Sequence, residues 1–208
     1  MTTIPHMPPG RAGRAWLAHR LAVATRAAEL LDHKVRVLRQ EKEHYALLAE
    51  RTEAEWTRSC READAWSLRA SLVGGQATLR AAAQRPSAEV AVTWATTMGV
   101  SHPARAQCRL PAAADDSTLG PATAATVTAH RRALEAAVQH AAALAALRAV
   151  DAELSVTRRR LRAVTDRWLP RLESAHAALL LNLEETERAE GVSLRWALRA
   201  PHHRDGPR

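Results

Sequence analysis

From Leu17 to Val73 an apolar or small residue recurs at alternating steps of four and three, and no proline or glycine intervenes. The set runs Leu17, Leu21, Ala24, Ala28, Leu31, Val35, Leu38, then Tyr45, Ala49 and Trp56, and ends with Ala63, Trp66, Ala70 and Val73. Only Lys42, Thr52 and Ser59 break it with polar side chains. A seven-residue repeat held this long predicts a left-handed coiled-coil seam rather than a short globular helix. At 1.5 Å per residue, residues 12–73 would span about 90 Å. Composition points the same way. Phenylalanine is absent, Tyr45 is the single tyrosine, and much of the apolar count is alanine, which suits helix-on-helix contact better than a thick core. Alanine, leucine, arginine and glutamate, all strong helix formers, make up much of the rest.

The period returns in the second half, at Leu147, Val150, Leu154, Thr157, Leu161, Val164 and Trp168. After Trp168 it slips by one, continuing at Leu172, Ala175, Leu179, Leu183 and Thr186, and Pro170 falls at the slip. A proline inside a helix removes a hydrogen bond and clashes with the preceding turn, so a kink is expected there. Between the two helical parts lies a segment rich in glycine and proline, residues 74–121. Within it Val90, Val92, Trp94, Thr96 and Met98 alternate with small or polar residues, and Gly99 and Pro103 follow. That pattern predicts a short β-hairpin at about 89–110. The expected organisation is an extended arm over 1–10, a long helix over 11–73, the insert over 74–121, a second long helix over 122–199 and a polar tail over 200–208. The fold class is all-α, a long antiparallel two-helix coiled-coil hairpin with a small insert. The second helix is the longer, so one end should project beyond its partner. The seam positions that carry this expectation are Leu31, Val35, Leu38, Leu154, Leu161, Val164 and Trp168.

Motif chemistry is sparse. No phosphate loop, nucleophile elbow, CxxC or HExxH occurs. Glu41-x-x-His44 and Glu173-x-x-His176 have the form of di-iron ligand pairs, which would require a four-helix core with every ligand facing inward. Here each pair flanks the seam, so solvated Glu–His pairs are expected and a ferritin-like reading is the remote one. The net charge of +8 permits nucleic acid or an anionic membrane as partner. Arg158, Arg159, Arg160 and Arg162 form the densest basic cluster, yet the six tryptophans do not interleave with it as stacking on bases would need. A free-standing basic coiled-coil adaptor for nucleic acid or a membrane surface is therefore an alternative to a protein-facing role. Cys60 and Cys108 lack metal spacing and read as free thiols. "MTTIPHMPPG" has no apolar signal core, and "AAALAAL" is too short to span a bilayer, so no direct membrane insertion is expected.

Three stretches resemble the D subunit of the V-type (archaeal- and bacterial-type) rotary ATPase. The first is Pro9–Arg11 through "LAHRLAVATRAAELLDHKVRVL", in which Leu30, Leu31, Lys34 and Leu38 fall in the family's pattern. The second is "MGVSHP", Met98 to Pro103. The third is "RRLRAVTDRWLPRLE" followed by "LEETER". Gly10 stands where the family usually has threonine, and the lysine-rich run is reduced to Asp32-His33-Lys34. The resemblance implies a non-catalytic central-shaft (rotor) protein without cofactor or metal, in a complex that makes or hydrolyses ATP and moves protons or sodium ions. It implies as partners the catalytic and non-catalytic A and B subunits of the head, the small F subunit of the stalk and the socket of the membrane ring, with no nucleic acid. The place it implies is the cytoplasmic face of the cell membrane. Both chain ends would then lie in the head, where Arg11, Arg14, Leu17, Leu183, Glu184, Glu187 and Arg188 are the expected contacts. Met98, Gly99 and Pro103 would lie in the insert toward the membrane, and Pro170 would mark the kink.

Overall fold

The computed structural model describes residues 7–83, 87–111 and 120–199, and the side chain of Arg199 is not among them. The first six residues of the expected arm and the whole expected tail lie outside these residues. The order of elements is α1 (Gly10–Ala83), β1 (Glu89–Thr97), β2 (Val100–Arg109), α2 (Pro121–Ala163), a π-helical turn (Val164–Trp168) and α3 (Leu169–Arg199). Two long helical stretches with a small antiparallel sheet between them make the fold a helical hairpin with a small insert.

The α1 helix continues past Val73, where the helix was expected to end. Gly75 breaks it with φ of 73° and ψ of 166°, a conformation that favours glycine, and the chain is then helical again to Ala83. The chain divides into two compact units.

One unit holds residues up to 33 together with those from 157 onward. Its core is Leu17, Ala24 and Leu172, with Met7, Trp16, Leu21, Leu169, Ala175 and Leu179 packed around them. The two helical segments run antiparallel, since Arg11 meets Glu187 while Leu17 meets Leu172. At Gly13 the helix passes so close to its neighbours that an added Cβ would lie 2.2 Å from the carbonyl oxygen of Pro8 and 3.2 Å from Cδ2 of Leu179. Glycine is required there for space.

The π turn belongs to this unit. The Leu169 N–H donates to the Val164 carbonyl, five residues back rather than four. One extra residue is thereby taken up between Val164 and Leu172. That accounts for the one-residue slip of the apolar period: Leu172 is fully buried where an uninterrupted heptad would have placed Arg171, which is exposed. It also suits Pro170, because a widened turn moves away the carbonyl that the ring would otherwise strike. Thr165 adds a hydroxyl bond back to the Leu161 carbonyl at 3.0 Å, an arrangement that bends helices.

The other unit holds residues 34–156. Its largest core cluster is Leu38, Tyr45, Val100, Ala146, Val150 and Leu154. Farther along, Ala63, Ala129 and Ala133 meet beside Cys60 and Trp66. Alanine at these contacts lets helix backbones approach closely but buries little area per residue, so the leucines and valines supply most of the apolar stabilisation. The hairpin packs on these helices through its second strand, where Val100, His102, Pro103 and Ala106 are buried. Its two-residue turn is Met98-Gly99, with φ of 51° and 79°, the left-handed pair that a tight hairpin requires. Ala104 is an extra residue between the pairs Thr93↔Arg105 and Trp94↔Pro103. This bulge places Pro103, which has no N–H to give a ladder, at an irregular point, and it lets the adjacent His102 and Pro103 both be buried.

Candidate functional site: the paired helices and their fittings

In the 34–156 unit, cross-helix polar contacts line the seam. Lys34 Nζ donates to Glu153 Oε1 at 2.7 Å, and Lys42 Nζ donates to Asp151 Oδ1 at 2.7 Å. These are the chain's only two lysines. Lys42 occupies a heptad position because its aliphatic stem can lie along the seam while the ammonium reaches out to Asp151. Thr52 and His140 meet at 3.3 Å, and the His140 ring stacks on Trp56 at 5.4 Å. Such partly exposed pairs contribute modestly to stability but discriminate against wrong register, since a slip leaves each charge without its partner.

One polar group lies deeper. His102 is 1% exposed, held between Tyr45 Oη at Nδ1 (3.1 Å) and Thr97 Oγ1 at Nε2 (3.2 Å). A neutral imidazole has one donor and one acceptor nitrogen, and two hydroxyl partners satisfy either tautomer. The Tyr45 and His102 rings also meet edge to face at 5.1 Å. Burial, and secondarily the nearby Glu41 carboxylate, push the Tyr45 phenol above its ordinary value of 10.0. The trio ties the hairpin to α1. Two further bonds tie the hairpin side to α2: Gln139 Nε2 donates to the Ala106 carbonyl at 2.5 Å, and Arg131 donates to the Pro111 carbonyl at 2.7 Å.

The sequence-selected positions distribute as follows. Leu38 and Leu154 are fully buried, Leu31, Val35, Leu161 and Val164 are half-buried, and Trp168, the last residue of the π turn, is 40% exposed. Trp56 and Val73, also in the heptad set, are exposed. Leu17 is buried, Leu183 half-buried, and Arg14 exposed. Arg11 pairs with Glu187 at 3.0 Å, and Glu184 with Arg188 at 3.3 Å within one helix face. Met98 and Gly99 form the hairpin turn, Pro103 is buried in β2, and Pro170 is exposed in the first turn of α3. Beyond Glu187 the helix continues with Val192, Leu194, Trp196 and Leu198 all exposed.

Periodicity could not single out the Tyr45–His102–Thr97 trio, because its members are joined through space. The usable signal was an ionisable residue shortly after the hairpin turn, opposite Ala95 in a strand of mostly small side chains. For the Glu-x-x-His pairs, Glu41 is half-buried with His44 exposed, and Glu173 is exposed with His176 half-buried. Among the described residues no three His, Cys, Asp or Glu side chains group as metal ligands, and no helix is long and apolar enough to cross a membrane. The geometry described is that of paired helices fixed in register and carrying a clamped hairpin.

Comparison with curated proteins finds no match to the chain. The model of the ATP synthase D-subunit family matches residues 16–199, which takes in both helical stretches and the hairpin. Paired antiparallel helices, the insert between them and this match across nearly the whole sequence lead to one assignment: the chain belongs to the ATP synthase D-subunit family, whose members are stalk components of rotary ATPases.

Proposed function

We propose that the chain is the central shaft of a V-type rotary ATPase or ATP synthase, carrying torque between an ATP-handling head and an ion-translocating membrane ring. The family match over residues 16–199 carries this reading. The physical arrangement supports it, since a helix braced along its length by an antiparallel partner resists bending more than a single helix does. Lys34–Glu153 and Lys42–Asp151 oppose sliding of one helix along the other. The chain's part is mechanical, and catalysis belongs to the head.

In this reading the head end is formed by residues 11–35 and 179–199, with Arg11, Arg14, Leu183, Glu184, Glu187 and Arg188 facing the A and B subunits. The hairpin end faces the small F subunit of the stalk and the socket of the ring, on the cytoplasmic face of the membrane. The test is to recover the tagged full chain from its native membrane and identify its companions. Head, stalk and ring subunits in fixed proportion are expected. Recovery of the chain with DNA alone, at an affinity falling steeply with salt, would instead establish the basic-adaptor reading.

A further inference from the structure

The hairpin has two unlike edges. On the β2 side the chain is guarded: Pro103 interrupts the donors, Ala104 bulges, Arg105 and Arg109 add charge, and Gln139 reaches the Ala106 carbonyl. Among the described residues the β1 side carries a single charge, Glu89 at its end, and none of the other devices. Over Glu89–Thr97 it has nine residues, no proline, no lysine or arginine, and no bulged residue. Among the described residues, the only backbone hydrogen bonds β1 makes are its ladder to β2. Residues Glu89 to Trp94 are all exposed. Natural proteins protect a long free edge with charge, proline, bulges or cover, because its unpaired N–H and C=O groups recruit another strand. One edge protected and the other bare indicates an edge kept for pairing.

An apolar groove lies between the hairpin and α2, lined on the hairpin side by β1 together with Pro103 and Ala106 of β2. Val90, Val92 and Trp94 of β1 face Val138, Ala142 and Ala145 of α2 across it. The three β1 residues remain 53%, 42% and 62% exposed. We infer that β1 accepts a third strand, an extended and uncharged segment of another stalk subunit whose alternate apolar side chains enter this groove. The inference rests on the shaft reading given above. Size and charge both bear on the occupant. A nine-residue strand is about 30 Å long and about 10 Å wide in contact, so pairing buries on the order of 300 Å² per side. That is well below the roughly 800 Å² per partner of a stable free-standing interface. A second copy held by this edge alone would not persist, whereas a subunit already held elsewhere on the shaft gains from the added contact through high effective concentration. The edge offers no counter-charge beyond Glu89, so main-chain bonds and apolar side chains do the selecting.

Amide hydrogen exchange over residues 89–97 tests this, comparing the isolated full chain with the same chain in the complex recovered from its membrane. The expected result is that alternate β1 amides, those directed away from β2, exchange at least tenfold more slowly in the complex, with β2 amides unchanged. Equal exchange of the β1 amides in both samples overturns the inference. So does slow exchange in the isolated chain that grows with concentration alongside dimer formation, which would make the occupant a second copy. If no ATPase subunits accompany the chain, the shaft reading itself fails. If they accompany it and β1 exchanges as before, only the added strand is wrong.

Discussion

Single residues hold this molecule at points where the space or the hydrogen bonds allow little substitution. Gly13 is one. A methyl group there would meet the Pro8 carbonyl at 2.2 Å, too close to tolerate without backbone movement. Gly13→Ala should therefore cost about 1–3 kcal/mol, the range for forced overpacking, and appear as a lowered thermal midpoint. Tyr45 is another. Its phenol is held protonated above its ordinary range by burial and then by Glu41. The folded state thus retains a proton that the unfolded state has released, so the stability Tyr45 contributes is intact below about pH 10 and falls as pH rises through the higher folded value. Unfolding midpoints taken between pH 8.5 and 11 should decline, and Tyr45→Phe should flatten that decline while lowering stability at neutral pH by about 1 kcal/mol through the lost His102 bond. These residues were the least legible in the sequence. Heptad stepping selected Tyr45 for its apolar position and gave no sign of His102, which lies 57 residues away. Lys42 looked like a defect in the repeat until Asp151 supplied its partner.

At the scale of elements the sequence was far more legible, and the reason is periodicity. A repeat that places Leu17, Leu38, Leu154 and Leu172 on buried faces leaves few alternatives for how a helix can pair. The hairpin showed itself through alternation and through glycine at the turn. Two features were hidden. Gly75 interrupts the helix, but helix resumes after it because Gln76–Ala83 is itself good helix sequence. The slip at Pro170 was visible as a phase change, while its structural form, a π turn, was not, since a kink and an added residue look the same in the sequence. The two can be separated by experiment. Deleting Thr165 removes one residue and sets Leu172, Leu179, Leu183 and Thr186 on the three–four positions that continue from Val164, but it leaves the proline inside a regular helix at a cost of about 3 kcal/mol. Combining the deletion with Pro170→Ala should recover most of that loss, because Leu172 and Leu179 then meet the seam through unbroken α-helix. Chemical denaturation of both variants measures the difference. If the double variant is as unstable as the deletion alone, the π turn does more than compensate the slip.

For the whole molecule the decisive question is what covers the apolar end of α3. Past the Arg11–Glu187 pair the helix presents Val192 and Trp196 on one face, and Leu194 and Leu198 on the opposite one, all exposed. A helix apolar on opposing faces has no stable solvated side, and it suits an environment that surrounds it. In the shaft reading that environment is the bore of the head. Burying a large apolar side chain contributes about 1.5–3 kcal/mol, so removing Trp196 and Leu198 should weaken seating of the shaft by at least about 3 kcal/mol. At 1.4 kcal/mol per factor of ten this is on the order of a hundredfold in affinity. A chain lacking residues 191–208 should still fold, because the Leu17–Ala24–Leu172 core lies well before the cut. It should, however, dissociate from the head on dilution and leave ATP hydrolysis uncoupled from ion movement. Dilution series of purified complex, with ATPase and ion uptake measured on the same preparation, separate the two effects. Full coupling by the truncated chain would place the head contacts elsewhere, on the Arg11–Leu17 side or along the arginine cluster at 158–162. Loss of folding would show that the projecting end supports the helices themselves rather than a partner.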